Sequence, residues 1–328
     1  MEDMYQKILW EGYGLRYQSG VRTRTGLVCQ TDQGLRELKK ARSSRREILL
    51  AHDVKCRLYE NGFTSLCRFA TAQDGNPFFV WDGTYYLLED VMQGEAIEEE
   101  QPQDWLDGAA LMAKMHCAAN GLKLREGLAQ AAALPQVWQK RLNELAKIKK
   151  RIERQSGYSA LDLLVLRYYQ PFFTRAQRAL EQLQQANYTK LRKQQQAQGV
   201  FCHNRIKGNH LYRQTDGSLW IGGFEHCTAD VFLLDLATYL KRLWRKTQGD
   251  VTLLESAVDI YCSTRDVSEE EMRLLLPLTA YPEKFLRLVH ENYNKRQVCI
   301  SPAMLAHLTQ TAEEETSMGI LEQYLTEN

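Results

Sequence analysis

Nowhere in the 328 residues do about 18 apolar residues follow one another, so no stretch reads as a membrane-crossing helix. The first residues lack the apolar core of a secretory leader, and the expectation is a protein made and kept in a cytoplasm. Neither sign of charge dominates. Lys+Arg number 42 against 41 Asp+Glu, a formal net charge of +1, which gives no bulk attraction to nucleic acid or anionic lipid. No Cys-x-x-Cys pair occurs among the cysteines at 29, 56, 67, 117, 202, 227, 262 and 299, which read as small buried hydrophobes of a reducing compartment. Cys202, His203, His210, His226 and Cys227 lie close in sequence, but their spacing matches no tetrahedral ligand template, and no metal site is expected from them. No internal repeat is evident. What is present, 44% hydrophobic and 25% charged residues, suits a globular protein with one large core or two moderate ones.

Two regions separate along the chain. Residues 1–93 carry strand and turn signals: Gly26 to Gln30, a turn at Thr31-Asp32-Gln33-Gly34, Leu35 to Lys40, and a hairpin at Asp82-Gly83. One helix interrupts them, from about Arg45 to Asn61, ending at Gly62. Residues 94–328 are mostly helical. Trp138, Leu142, Leu145, Ile148 and Ile152 make one apolar stripe, Ser268-Glu269-Glu270-Glu271 is a capping box, and Ser301-Pro302 opens the last helix. The stripe also accounts for Lys147-Ile148-Lys149-Lys150-Arg151, whose charges surround a core-facing helix and do not form a nucleic-acid patch. The Gln-rich stretch from Glu181 to Gln198 reads as a solvated helix and loop.

The chemistry-bearing stretch is Phe201-Cys202-His203-Asn204-Arg205-Ile206-Lys207-Gly208-Asn209-His210-Leu211-Tyr212, then a turn, Thr215-Asp216-Gly217-Ser218, then Leu219-Trp220-Ile221-Gly222-Gly223-Phe224-Glu225. A loop, a short hairpin and a second loop is the layout of a phosphotransferase site, in which one Asp accepts the substrate proton, an Asn holds metal and a second Asp ligates Mg²⁺. The stretch resembles the His-Gly-Asp-x-x-x-x-Asn and Ile-Asp-Phe-Glu segments of aminoglycoside-phosphotransferase-like kinases. Aligned without gaps, Arg205 stands at the catalytic Asp, His210 at the Asn and Gly223 at the metal Asp. One deletion would bring Asn209 to the Asn position instead. Arg205 stays protonated and cannot be a base, and Gly223 offers no carboxylate to a hard cation. Leu234-Asp235-Leu236-Ala237 matches the segment whose Asp braces the catalytic loop, and His203 stands where those kinases use a structural His.

Further segments narrow the resemblance. Ala280-Tyr281-Pro282-Glu283-Lys284-Phe285 with Asn292-Tyr293-Asn294, together with Gly62-Phe63, the run Pro77 to Glu89 and Ala113-Lys114-Met115-His116, is similar to the CotS-type spore coat proteins. The resemblance implies an α+β, two-lobed protein-kinase-like fold, with a sheet lobe over residues 1–93, a hinge at Glu89-Asp90-Val91-Met92, and a helical lobe over 94–328 holding both loops. It implies a catalytically degenerate protein (no catalytic residue or metal; His203 and Asp235 kept as scaffold) acting in spore assembly. Its partners would be other spore coat or spore-assembly proteins, with no nucleic acid and no membrane insertion, and its location the mother-cell cytoplasm and then the coat. Lys39 is the candidate phosphate-contacting Lys, with Glu47 or Asp53 as possible helical partners. Gly12-Tyr13-Gly14-Leu15-Arg16-Tyr17 fails as a phosphate-cradling loop at its third Gly. The alternative is a small-molecule phosphotransferase using ATP and Mg²⁺ in which Glu225 or Asp230 replaces a lost carboxylate. A pairing of Arg205 with Glu225 or Asp230 is a further expectation.

Overall fold

The computed structural model describes residues 2–23, 26–92, 94–123, 132–294 and 301–327. Cys299 and Gln93 lie outside them. The amino-terminal region forms a five-stranded antiparallel sheet in the order β1-β2-β3-β5-β4, from β1 (Tyr17–Arg22), β2 (Gly26–Thr31), β3 (Gly34–Lys40), β4 (Phe79–Trp81) and β5 (Thr84–Asp90). The turns fall where Gly34 and Asp82-Gly83 take positive φ, a conformation open to Gly and tolerated by Asp. Helix α2 (Arg45–Glu60) begins with a capping box in which Ser44 and Glu47 satisfy each other's end groups.

A helical segment at the start of the chain was not expected. It comprises α1 (Glu2–Lys7) and a π-helical turn, Ile8–Gly12, whose Ile8 and Leu9 pack on one sheet face with Leu27, Cys29, Leu38, Tyr86 and Leu88. Strict alternation along β3 and β5 sends Glu37, Lys39, Leu87 and Glu89 to the opposite face. Gly12 is a packing residue, since a Cβ there would lie 2.6 Å from the Phe79 ring.

After β5 the chain forms β6 (Glu95–Ala96), then α3 (Pro102–Ala118), α4 (Leu134–Glu153), α5 (Ala160–Gln185) and α6 (Tyr188–Ala197). The expected hairpin follows as β7 (Leu211–Arg213) and β8 (Leu219–Ile221), turning at Gly217 with φ +83°, and β6 completes a second sheet against β7. Then come α7 (Leu233–Lys246), α8 (Val251–Thr264), α9 (Glu269–Met272), α10 (Leu275–Ala280), α11 (Glu283–Asn294) and α12 (Pro302–Glu327). No helix is long and apolar enough to cross a membrane among the described residues.

By compactness the chain divides into two units. The first joins residues 1–130, 195–235 and 259–265, so the sheet and both loops belong to it; the second joins 131–194, 236–258 and 266–328. In the second unit the α4 stripe is buried from Trp138 to Ile152. Trp138 stacks on Tyr281 at 3.9 Å, Lys241 donates to the Tyr281 carbonyl (2.6 Å), and Tyr293 donates to Asp162 (2.6 Å). The Ala280 to Asn294 segment is therefore core packing in this unit. The Gln-rich stretch is less solvated than its composition indicates. Leu183, Tyr188, Leu191 and Gln195 are buried, and Gln195 accepts from the Phe232 N–H while Gln196 donates to the Ala229 carbonyl.

Candidate functional site

Within the first unit the loop at 202–210 is organised by one buried carboxylate. Asp235, in the first turn of α7, accepts the backbone N–H of His203 on Oδ2 (2.6 Å) and that of Asn204 on Oδ1 (2.6 Å). His116, near the end of α3, is pushed below the usual imidazole pKa by burial, against the pull of Asp235. A neutral ring in that place donates through Nε2–H to Asp235 Oδ2 (3.0 Å) and accepts the Tyr261 hydroxyl on Nδ1 (2.7 Å). Asn204 sits at φ +63°, a conformation that Asn tolerates, and its side-chain amide donates to the His226 carbonyl and to Thr228.

His203 extends the same frame. Burial keeps its imidazole neutral, Nε2–H donates to the Gly222 carbonyl (2.9 Å), and Nδ1 accepts the Arg205 N–H (3.3 Å). The first loop is thereby tied to the second at Gly222-Gly223. Gly223 has φ +81°, and a Cβ built there would lie 2.7 Å from His210 Nδ1. The His210 ring thus fills the space into which a side chain at 223 would project. Its Nδ1–H donates to the Arg205 carbonyl (2.6 Å), its own carbonyl accepts the Gly222 N–H (2.8 Å), and burial lowers its pKa to about 4. Asn209 is exposed, and its carbonyl accepts from Tyr212, so the residue that meets Gly223 is His210.

Arg205 points outward. Its guanidinium donates to His226 Nε2, and no ion pair joins it to a carboxylate among the described residues. The expected pairing with Glu225 or Asp230 does not form. Asp230 is buried, with Oδ1 accepting the Val231 N–H, and Glu225 stands half-buried on the 3-10 turn Phe224–His226. Among the described residues no group of three or more His, Cys, Asp or Glu side chains is arranged to hold a metal ion. Burial pushes the Cys202 and Cys227 thiols well up, away from the thiolate that a metal requires.

On the sheet, Lys39 Nζ lies 2.9 Å from Glu89 and 3.0 Å from Glu37. Burial works against its charge, and the two carboxylates overcome that and hold the ammonium above its ordinary pKa. The partner expected from α2, Glu47 or Asp53, is not used: Glu47 closes the helix cap. What α2 contributes is Lys55, buried, which pairs with the other oxygen of Glu89 and lies 3.7 Å over the Phe69 ring. Burial would raise the Glu89 pKa, but Lys55 and Lys39 together hold it down. The usual arrangement, a strand Lys with a helix Glu, is here a strand Glu with cations from both strand and helix. No local pattern marks Lys55 or Glu89 as a pair, because they are 34 residues apart and meet only once β5 and α2 are packed.

The chain matches the model of the family described as "Spore coat putative kinase YutH" over residues 6–324. A comparison with curated protein sequences gave no match. Among solved structures, the fold is similar to an aminoglycoside phosphotransferase from Alicyclobacillus acidocaldarius, at 17% identity and TM-score 0.81, covering 95% of this chain and 92% of that one. It is also similar to spectinomycin phosphotransferase APH(9)-Ia in complex with ADP and spectinomycin, at 10% identity and TM-score 0.62, covering 97% and 98%. A third is the amicoumacin kinase hAmiN in complex with AMP-PNP, Ca²⁺ and Ami, at 15% identity and TM-score 0.62, covering 96% and 92%. At these identities the likeness concerns the fold: an antiparallel five-stranded sheet lobe and a larger helical lobe.

Proposed function

The chain belongs to the YutH family of spore coat kinase-like proteins, and within that family we propose that it is a catalytically inert member acting as an assembly or interaction component of the coat. The observation that carries this reading is the His210 ring in the space of a side chain at 223. A phosphotransferase loop needs an oxygen ligand there for the metal on the nucleotide phosphates. An imidazole whose Nδ1–H is spent on the Arg205 carbonyl is no such ligand. Arg205 adds a permanent positive charge where an acceptor for the substrate proton is required. The residues present do not fit a Mg²⁺–nucleotide.

A second reading, a small-molecule phosphotransferase with substituted ligands, is favoured by the Asp235 frame, which keeps the loop in shape, and by Glu225, a carboxylate on the metal-loop turn. One experiment separates the two. Purified protein is assayed for Mg²⁺-dependent ATP turnover with hydroxylated and amino substrates, beside Glu225→Ala. Under the inert reading, turnover stays at background for both proteins. Turnover that disappears with Glu225→Ala would establish an enzyme and remove the assembly reading.

A further inference from the structure

We propose that Arg205, with His226 beside it, is the receptor for a carboxylate-rich segment of a partner protein. This names the partner chemistry of the interaction role and rests on that reading. Position 205 is held at both ends of its backbone: its N–H donates to His203 Nδ1 and its carbonyl accepts from His210 Nδ1–H. The side chain therefore leaves from a fixed point on an exposed surface. A guanidinium carries five donors in a rigid fork. Its side-chain hydrogen bond goes to His226 Nε2, an acceptor without charge to offer in return.

No acidic group among the described residues forms an ion pair with Arg205. Glu47 on α2 holds the Ser44 cap, and its carboxyl is kept below the usual range chiefly by those Ser44 bonds. Asp235 is buried and accepts three hydrogen bonds. Glu225, next to His226, makes no ion pair with Arg205. An exposed, pre-aimed guanidinium without a counterion is completed by a bidentate carboxylate, a pairing about twice as strong as a neutral hydrogen bond. Fixing the backbone in advance lowers the ordering cost of that contact.

The test uses the full chain and a fluorescent decapeptide of alternating Glu and Gly, with a Gln-Gly counterpart, followed by anisotropy at low salt and at about 0.15 M. The Glu peptide is expected to bind and the Gln peptide not. Arg205→Ala should weaken the Glu peptide about ten-fold or more, the equivalent of about 1.4 kcal/mol, and Arg205→Lys by less. His226→Leu removes the acceptor that aims the guanidinium and should also weaken binding, which keeps the test open if a change at 205 disturbs folding. Equal binding of both peptides, or full binding by Arg205→Ala, overturns the proposal. Displacement of the peptide by inorganic phosphate or ATP at lower concentration than by free Glu peptide overturns it in favour of a phosphate site. Mg²⁺-dependent ATP turnover measured on the same samples reports on the inert reading separately. Turnover would sink that reading, whereas no turnover together with no peptide discrimination sinks only the docking site.

Discussion

Asp235→Asn is the most direct perturbation of the frame that shapes the loop. The buried carboxylate accepts two backbone N–H groups at 2.6 Å and the His116 ring at 3.0 Å. An amide of the same size keeps one acceptor oxygen and turns an NH₂ toward a donor. At least one backbone N–H is then left unsatisfied, and the bond that survives loses its charge assistance. Hydrogen bonds to charged groups contribute about 1.5–3 kcal/mol each, and an orphaned buried donor costs about 1–3 kcal/mol, so a loss of about 3–5 kcal/mol is expected. For a domain whose total stability is about 5–15 kcal/mol this is a large fraction. At about 2–4 °C per kcal/mol, the melting temperature should fall by about 6–20 °C in calorimetry. His116→Gln in the Asp235→Asn background should add less than it does alone, because the two changes break one shared bond. A fall below about 2 °C, with additive single and double mutants, would refute the account of Asp235 as the organising acceptor.

Other expectations follow from the same unit. Glu89→Gln leaves Lys55 buried without its counterion and should cost about 3–5 kcal/mol in urea unfolding, whereas Glu89→Leu combined with Lys55→Met should recover most of it; equal losses would refute the pairing. Gly223→Ala meets both a positive φ and the His210 ring and should cost about 1–3 kcal/mol, with part of the loss relieved in a His210→Ala background, and no relief would show that the ring is not what fills the space. Acid should destabilise the fold early. Burial depresses the pKa of His116 and His203, and that of His210 to about 4, so the unfolded chain takes up protons below about pH 6.5 that the folded one refuses. Stability is then complete above that value and falls beneath it, by up to about 1.4 kcal/mol per pH unit for each of the fully buried rings His116 and His203; a flat profile between about pH 7 and 5.5 would contradict this.

The elements legible in the sequence were those set by local chemistry. Asp216-Gly217 and Asp82-Gly83 turn where turn residues stand, the α4 stripe is buried from Trp138 to Ile152, and Ser268 caps α9. The segment from Ile8 to Gly12 was illegible for a physical reason: its Gly12 resembles loop punctuation, and Ile8 and Leu9 gain their purpose only from a sheet face formed by strands up to 80 residues later. The Gln-rich stretch misled for the same reason. Gln195 and Gln196 are polar, yet they satisfy backbone groups at Phe232 and Ala229 that no local window contains.

At the candidate site the limit was charge pairing. Through its resemblance to the kinase strand pair, Lys39 reads from sequence as a strand Lys awaiting a Glu from the next helix. Register decided otherwise. Glu37 pairs with Glu89 across β3 and β5, and alternation places both on the face of Lys39, where two like charges opposite each other are tolerable only with cations between them. Lys39 alone would leave Glu89 half neutralised in a buried position, and Lys55 from α2 supplies the second positive charge. A carboxylate at position 55 would have put three acids around one ammonium, so the strand Glu and the helix Lys are consequences of each other. Reversing them together, as Glu89→Lys with Lys55→Glu, should therefore retain more stability than either change alone.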